Sequence, residues 1–204
     1  MMADIVDVRE QWEVDRSVPR FHGGVVSVRT DSVHMPGGVV AERDVVEHPG
    51  AVGVLALDDS DRVLLVHQYR HPTGHRLWEA PAGLRDVEGE ELWTTGRREL
   101  YEEAGYRARR WHTLVDGFTS PGMCDERIRI YLARELTEVA DHERFVGVHE
   151  ETDMPIGWLD LDEAVARVLG GQLHNPMAIM GILAAYAARA DGFRHLRPAD
   201  APEG

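Results

Sequence analysis

The chain has 204 residues, with 36 acidic against 22 basic side chains and a formal net charge of −14. That length fits one domain with an appended element, and an apolar content of 43% supplies a sizeable core, which excludes extended disorder. The charge repels phosphate backbones and anionic lipid at long range, so neither nucleic-acid nor membrane partners are expected. A phosphate compound bound here would call for cations.

The single cysteine, Cys124, excludes an intramolecular disulfide and a thiolate metal cluster. Asp4 and Asp7 stand where a secretory signal needs bases, and the most apolar stretch, 177–188, is too short to cross a bilayer. A cytoplasmic location is the expectation.

In chain order, residues 1–20 are polar and aperiodic. Strand-like runs at 24–29 and 38–46 flank the turn Pro36-Gly37-Gly38, which predicts a β-ribbon. Runs at 51–57 and 62–69 flank Asp58-Asp59-Ser60-Asp61 and predict a hairpin. Strands are also expected at 111–117 and 127–134. In the latter, Ile128, Ile130 and Leu132 alternate with Arg127, Arg129 and Tyr131, the period of a strand with one buried face.

Three helices are expected. The first, 90–104, follows Gly89 and stops at Gly105, a good left-handed terminator. The second, 160–169, opens with a capping-box variant, Asp160 and Glu163. The third, 175–190, has an Asn175 cap and Pro176 at its first helical position. Strands around one central helix, with helices at the end, make an α+β fold of mixed sheets rather than a series of βαβ units. The expected organisation is an N-terminal segment and ribbon over 1–48, a main domain over 49–192 and a flexible tail over 193–204.

The first helix carries acids in an unfavourable arrangement. Glu99 and Glu103 are four apart and Glu102 is three from Glu99, so all three share one face. Like charges so spaced destabilise a helix by a few tenths of a kcal/mol per pair. Glu102 and Glu103 also occupy the last turn, where the macrodipole favours cations. Arg98 relieves part of this through Glu102, and Gly96, in the stripe Leu92, Gly96, Leu100 and Ala104, permits close approach to a sheet. Two readings remain open: a solvated charged face, or hard oxygen ligands for a divalent cation such as Mg²⁺ or Mn²⁺.

Gly83, Glu90 and the run Arg98-Glu99-Leu100-Tyr101-Glu102-Glu103-Ala104-Gly105-Tyr106 resemble the signature of the Nudix hydrolases. Every fixed residue type is present. Six residues rather than the family's five separate Gly83 from Glu90, and one extra residue in a loop is cheap. The loop Ser120-Pro121-Gly122-Met123-Cys124-Asp125-Glu126 is similar to the Ser-Pro-Gly-x-x-Asp-Glu loop of the ADP-ribose pyrophosphatase branch. So are Gln68-Tyr69-Arg70, the run Trp78-Glu79-Ala80-Pro81-Ala82-Gly83 and the acidic loop His149-Glu150-Glu151-Thr152-Asp153.

The resemblance implies an α/β/α sandwich of mixed sheets with an N-terminal β-ribbon, and Mg²⁺-dependent hydrolysis of ADP-ribose to AMP and ribose 5-phosphate. It also implies a role for each matching residue. Glu99, Glu103 and the Ala82 carbonyl would ligate Mg²⁺ (Mn²⁺ being the alternative), with Glu102 acting through water. Arg98 would orient the carboxylates. Arg70 would contact the diphosphate, its alternative being an exposed strand-end arginine. Glu79 would touch the terminal ribose or a metal-bound water, and Pro121 and Gly122 would form a substrate-binding turn. The general base would be Glu151 or Glu150, with Glu151 favoured and a solvated loop charge as the alternative.

His67, His71 and His75 follow one another at a spacing of four, but they sit in a strand-to-loop region and read as surface or packing residues. Cys124 has no evident base beside it. Two rival functions stand beside ADP-ribose hydrolysis: cleavage of another nucleoside diphosphate compound, such as an ADP-sugar, and a non-catalytic ADP-ribose sensor. The intact Glu99, Glu102 and Glu103 count against the sensor. Nucleic-acid cap removal fits poorly with the charge and with a sequence that shows no basic stripe. The resemblance further implies a homodimer built through the ribbon.

Overall fold

The computed structural model describes residues 5–145 and 154–203, which form two compact units divided between His48 and Pro49, with Ser120–Asp125 joining the first. That first unit is an antiparallel sheet of β1 (Val14–His22), β2 (Ser27–His34) and β3 (Val40–Glu47), in that order. The Pro36-Gly37-Gly38 turn joins β2 to β3, with Gly37 and Gly38 at φ 98° and 85°. β1 is an addition to the expected ribbon. Nearly all its residues are exposed, so it shows no one-faced alternation, and Pro19 fits because β1 is an edge strand. β2 carries buried polar residues instead of an apolar face. Ser17 and Arg29 hydrogen-bond Asp31 and hold its carboxyl below the usual range despite burial.

The second unit holds β4 (Ala51–Ala56), β5 (Arg62–Arg70), β6 (His75–Glu79), β7 (Ala82–Leu84), α1 (Leu92–Ala104), β8 (Tyr106–Phe118), β9 (Arg127–Glu138), β10 (Ile156–Asp160), α2 (Leu161–Leu169), α3 (Pro176–Arg189) and β11 (Arg197–Pro198). A five-stranded mixed sheet runs β11-β8-β9-β4-β7, with β4 and β9 parallel, and a second sheet runs β10-β5-β6. Leu55, Ile128, Ile130 and Ile182 belong to one apolar cluster, whereas Val54, Ala56, Leu100 and Ala104 belong to another. Alternate residues of β4 therefore face α3 and α1, which is an α/β/α sandwich.

Helix ends follow the residues that mark them. Gly105 ends α1 at φ 68°, its amide bonded to the Leu100 and Tyr101 carbonyls. Asp160 caps α2, and the Asn175 side chain accepts the Ala178 amide at 2.9 Å to cap α3.

Three expectations change. The predicted 51–57/62–69 hairpin closes only at the Leu57–Val63 bridge. Beyond it β4 and β5 enter different sheets, because β7 and β9 take both edges of β4 while β6 and β10 take those of β5. β9 is buried on both faces: Arg129 and Tyr131 are as hidden as their neighbours Ile128 and Ile130. Asp116, paired with Arg129 at 2.7 Å, makes that burial tolerable. Finally, residues 197–203 are held rather than frayed. β11 pairs with His112 and Thr113 of β8, and Arg129 donates to the carbonyls of Ala201 at 2.6 Å and Pro202 at 3.1 Å.

Candidate active site

β7 is a three-residue edge strand laid antiparallel on β4, with Gly53 opposite Ala82 and Val52 opposite Gly83. The Val54 amide donates to the Pro81 carbonyl and the Arg85 amide to the Gly50 carbonyl, which pins both ends of the segment. α1 lies close to the same sheet because position 96 is glycine: a Cβ there would stand 3.3 Å from both Tyr131 and Val54.

This arrangement turns the helix's acidic face onto β7. The Ala82 amide donates to Glu103 Oε2 at 2.9 Å. Glu99, only 7% exposed, lies against Gly83, where a Cβ would meet Glu99 Oε1 at 2.0 Å. Arg98 gathers the other acids, at 2.6 Å from Glu99, 3.1 Å from Glu102 and 3.6 Å from Glu90. Burial works against its charge, but Glu99, Glu102 and Glu90 outweigh that and raise its pKa. Three carboxylates around one guanidinium leave an excess of negative charge. Their carboxylate oxygens, like the backbone oxygen of Ala82, are hard donors of the kind that divalent cations take.

Thr95 was not among the sequence candidates. It is 1% exposed, and its hydroxyl donates to Glu90 Oε2 at 2.7 Å, holding that carboxylate toward Arg98. Its only sequence signal is a β-branched hydroxyl four residues before Glu99. The six-residue spacer closes in a turn whose Glu90 amide donates to the Val87 carbonyl, so the longer loop still delivers Glu90 to Arg98.

Arg70 and Glu79 are brought together on the neighbouring sheet. Arg70 grips Glu79 with both Nε and Nη2, at 2.9 and 2.6 Å, and Glu79 is 2% exposed. The antiparallel register of β5 and β6 creates this pair across nine residues. Pro121 and Gly122 lie in the exposed turn Ser120–Asp125 of the first unit. Glu150 and Glu151 lie outside the described residues. The histidines near β6 pack as read: His67 stacks on Trp78 with ring centroids 4.5 Å apart, and His75 bonds the Thr73 carbonyl. Cys124 is half-buried and bridges to Val46.

Two features were not legible. Among the described residues, the one group of three or more potential ligands whose atoms lie within 4.8 Å of one another is Glu13, Asp15 and His34 in the first unit, not the acids of α1. The latter spread between Arg98 and Ala82. Secondly, although no basic stripe runs along the sequence, Arg97, Arg98, Arg107 and Arg109 converge on a groove of about 520 Å³ between α1 and β8. Arg97 and Arg98 are neighbours in α1, and Arg107 and Arg109 share a face of β8 by strand alternation, but only the packing of α1 on β8 brings the two pairs together.

The family model described as NUDIX domain matches residues 47–177. An ADP-ribose pyrophosphatase of Mycobacterium tuberculosis is 49% identical over 178 residues, covering 87% of this chain and 84% of its own. A methanol dehydrogenase activator of Bacillus methanolicus is 34% identical, covering 79% of this chain and 85% of its own. The crystal structure of an ADP compounds hydrolase superposes with a TM-score of 0.72 at 16% identity, covering 92% of this chain and 99% of that one, a likeness of fold. Among the described residues, no helix is long and apolar enough to cross a membrane.

Proposed function

The chain belongs to the Nudix family, and we propose that it hydrolyses the diphosphate bond of ADP-ribose, with Mg²⁺ bound, to AMP and ribose 5-phosphate. The observation that carries this reading is the seating of Glu99 and Glu103 against Gly83 and Ala82, supported by the 49% identity to an ADP-ribose pyrophosphatase.

Glu99, Glu103 and the Ala82 carbonyl would hold the metal, with Glu102 behind them. Bound there, it would supply Lewis acidity toward the diphosphate and a lowered pKa for water. Arg98 orients the carboxylates through its pairs with Glu99 and Glu102. Arg70, held by Glu79 through Nε and Nη2, would contact the diphosphate oxygens with its guanidinium. Glu79 holds that guanidinium in place and would touch the terminal ribose or a metal-bound water. Glu151, or Glu150 beside it, takes the proton of the attacking water. Pro121 and Gly122 form the substrate-binding turn.

We further infer a cytoplasmic homodimer acting on a small molecule rather than nucleic acid. Exposed Val14, Phe21, Val39 and Val40 on the first unit favour a second copy as the partner of that sheet. Light scattering that shows a monomer at micromolar concentration would refute the dimer.

AMP release from ADP-ribose is measured with and without Mg²⁺, beside Glu103→Gln, Glu151→Gln and Glu150→Gln. Metal-dependent release, cut by about 10²-fold or more in Glu103→Gln and Glu151→Gln, is expected. Faster turnover of an ADP-sugar would transfer the reading to that substrate class. Saturable binding without release would make the protein a sensor.

A further inference from the structure

The end of the described chain crosses the sheet that carries the site. β11 pairs with β8 at one edge, with the Thr113 hydroxyl donating to the Pro198 carbonyl at 3.0 Å and Arg197 meeting Asp116 at 2.9 Å. A turn follows, in which the Ala201 amide bonds the Pro198 carbonyl. Buried Arg129 on β9 then holds the carbonyls of Ala201 and Pro202. At the far end Glu203 makes a two-oxygen pair with Arg85, at 3.1 and 3.0 Å, and lies 3.5 Å from Arg127. Since the strand order is β11-β8-β9-β4-β7, residues 197–203 run from the β8 edge to the residue that directly follows β7.

We propose that this segment is a strap that positions the catalytic loop, with Glu203 as a positioning residue acting through Arg85. The proposal rests on the hydrolase reading above. β7 is three residues long and at an edge, so its backbone pairing comes from β4 alone. Yet Ala82 and Gly83 must hold their places against Glu103 and Glu99 to within fractions of an ångström. Arg85 lies two residues beyond Gly83, and its amide is already tied to Gly50. Its side-chain stem passes over Gly50, where a Cβ would stand 3.1 Å from Arg85 Cδ and 2.7 Å from the Arg127 carbonyl. Both partners of the Arg85–Glu203 pair are about three-quarters buried, with side-chain exposures of 25% and 22%, so solvent screens it less than a surface pair. Arg129 keeps the strap seated, because its release would strip two acceptors from a buried guanidinium. The strap thus closes a path from β8 to the loop that presents the Ala82 carbonyl.

The test uses Glu203→Gln, Glu203→Asp and Arg85→Gln in the full chain. Glu203→Gln is expected to lower kcat for ADP-ribose by roughly tenfold and to raise the Mg²⁺ concentration for half-activation by a similar factor. KM should change far less, and Glu203→Asp should recover most of the loss. Arg85→Gln should match Glu203→Gln, and the double variant should be no worse than either. Hydrogen exchange of residues 82–90, measured without substrate, should quicken in Glu203→Gln while the melting temperature stays close to wild type. Faster exchange in an enzyme inactive on ADP-ribose would uphold the strap and overturn the substrate. Wild-type kcat, Mg²⁺ dependence and exchange in Glu203→Gln would overturn the strap.

Discussion

Gly83 and Glu99 share one space: a methyl group on Gly83 would lie 2.0 Å from Glu99 Oε1 and 2.3 Å from its carboxyl carbon. The glycine is needed for room, since its φ is not positive. The carboxylate is the far end of a flexible side chain, so it can swing away where backbone could not. Gly83→Ala should therefore lower kcat by about 10²-fold, as displacement of a ligand by an ångström does, while the melting temperature falls little. Steady-state kinetics beside calorimetry would check this, and an active Gly83→Ala would show that Glu99 does not need its present position.

Arg98 meets Glu90, Glu99 and Glu102 at once. A lysine has the charge but not the planar fork. Arg98→Lys is expected to lose 10- to 100-fold in activity, about as outer-shell partners of a metal do. Arg98→Ala removes the cation from a group of like charges, so Mg²⁺ should raise its melting temperature more than it raises that of the wild type. Equal Mg²⁺ shifts in the two proteins would count against the carboxylates as the metal site.

The Arg70–Glu79 pair is lopsided, with side-chain exposures of 43% and 2%. Arg70→Ala leaves a buried carboxylate with its principal cation gone. A destabilisation of about 1–3 kcal/mol is expected, toward the low end because Arg70 itself is partly screened. Removing both charges, in Arg70→Ala with Glu79→Gln, should cost less than Arg70→Ala alone. Urea unfolding of the double-mutant cycle measures this; additive losses would mean that the two residues act separately.

Burial disfavours the charge of Asp116, but the hydrogen bonds from Arg129 and Arg197 win and hold its carboxyl below the usual range. With the folded pKa depressed, the stabilisation is fully present above the unfolded value of about 4 and is lost as pH falls through the folded value. Asp116→Asn should be less stable than wild type at pH 7 and should lose less stability between about pH 4 and pH 2. Melting temperatures across that range decide it, parallel curves being the adverse result.

Much of the site could be read from the chain because it is local. Glu99, Glu102 and Glu103 share a face by helix geometry alone, Gly105 stops that helix, and Gly83 lies within the same short stretch. The Asp160 and Asn175 caps are local in the same way, since each needs only an amide two or three residues ahead. Periodicity also located most strands, but it records burial rather than pairing. β1 escaped notice because it buries almost nothing, and β9 looked one-sided because the partners that let Arg129 be buried come from Asp116 and from residues 201 and 202. Glu203 looked like a frayed end because its partner, Arg85, lies 118 residues earlier.

The sequence by itself therefore determined the acidic helix and its stops, because interactions over three or four residues follow from backbone geometry, while the type of chemistry was implied only by the resemblance to a family signature. Only the tertiary structure decided that β4 and β5 part into separate sheets, that Arg70 grips Glu79 and that residues 197–203 reach Arg85. Those choices depend on which strand edges and buried charges meet across the fold, and no local period encodes that meeting.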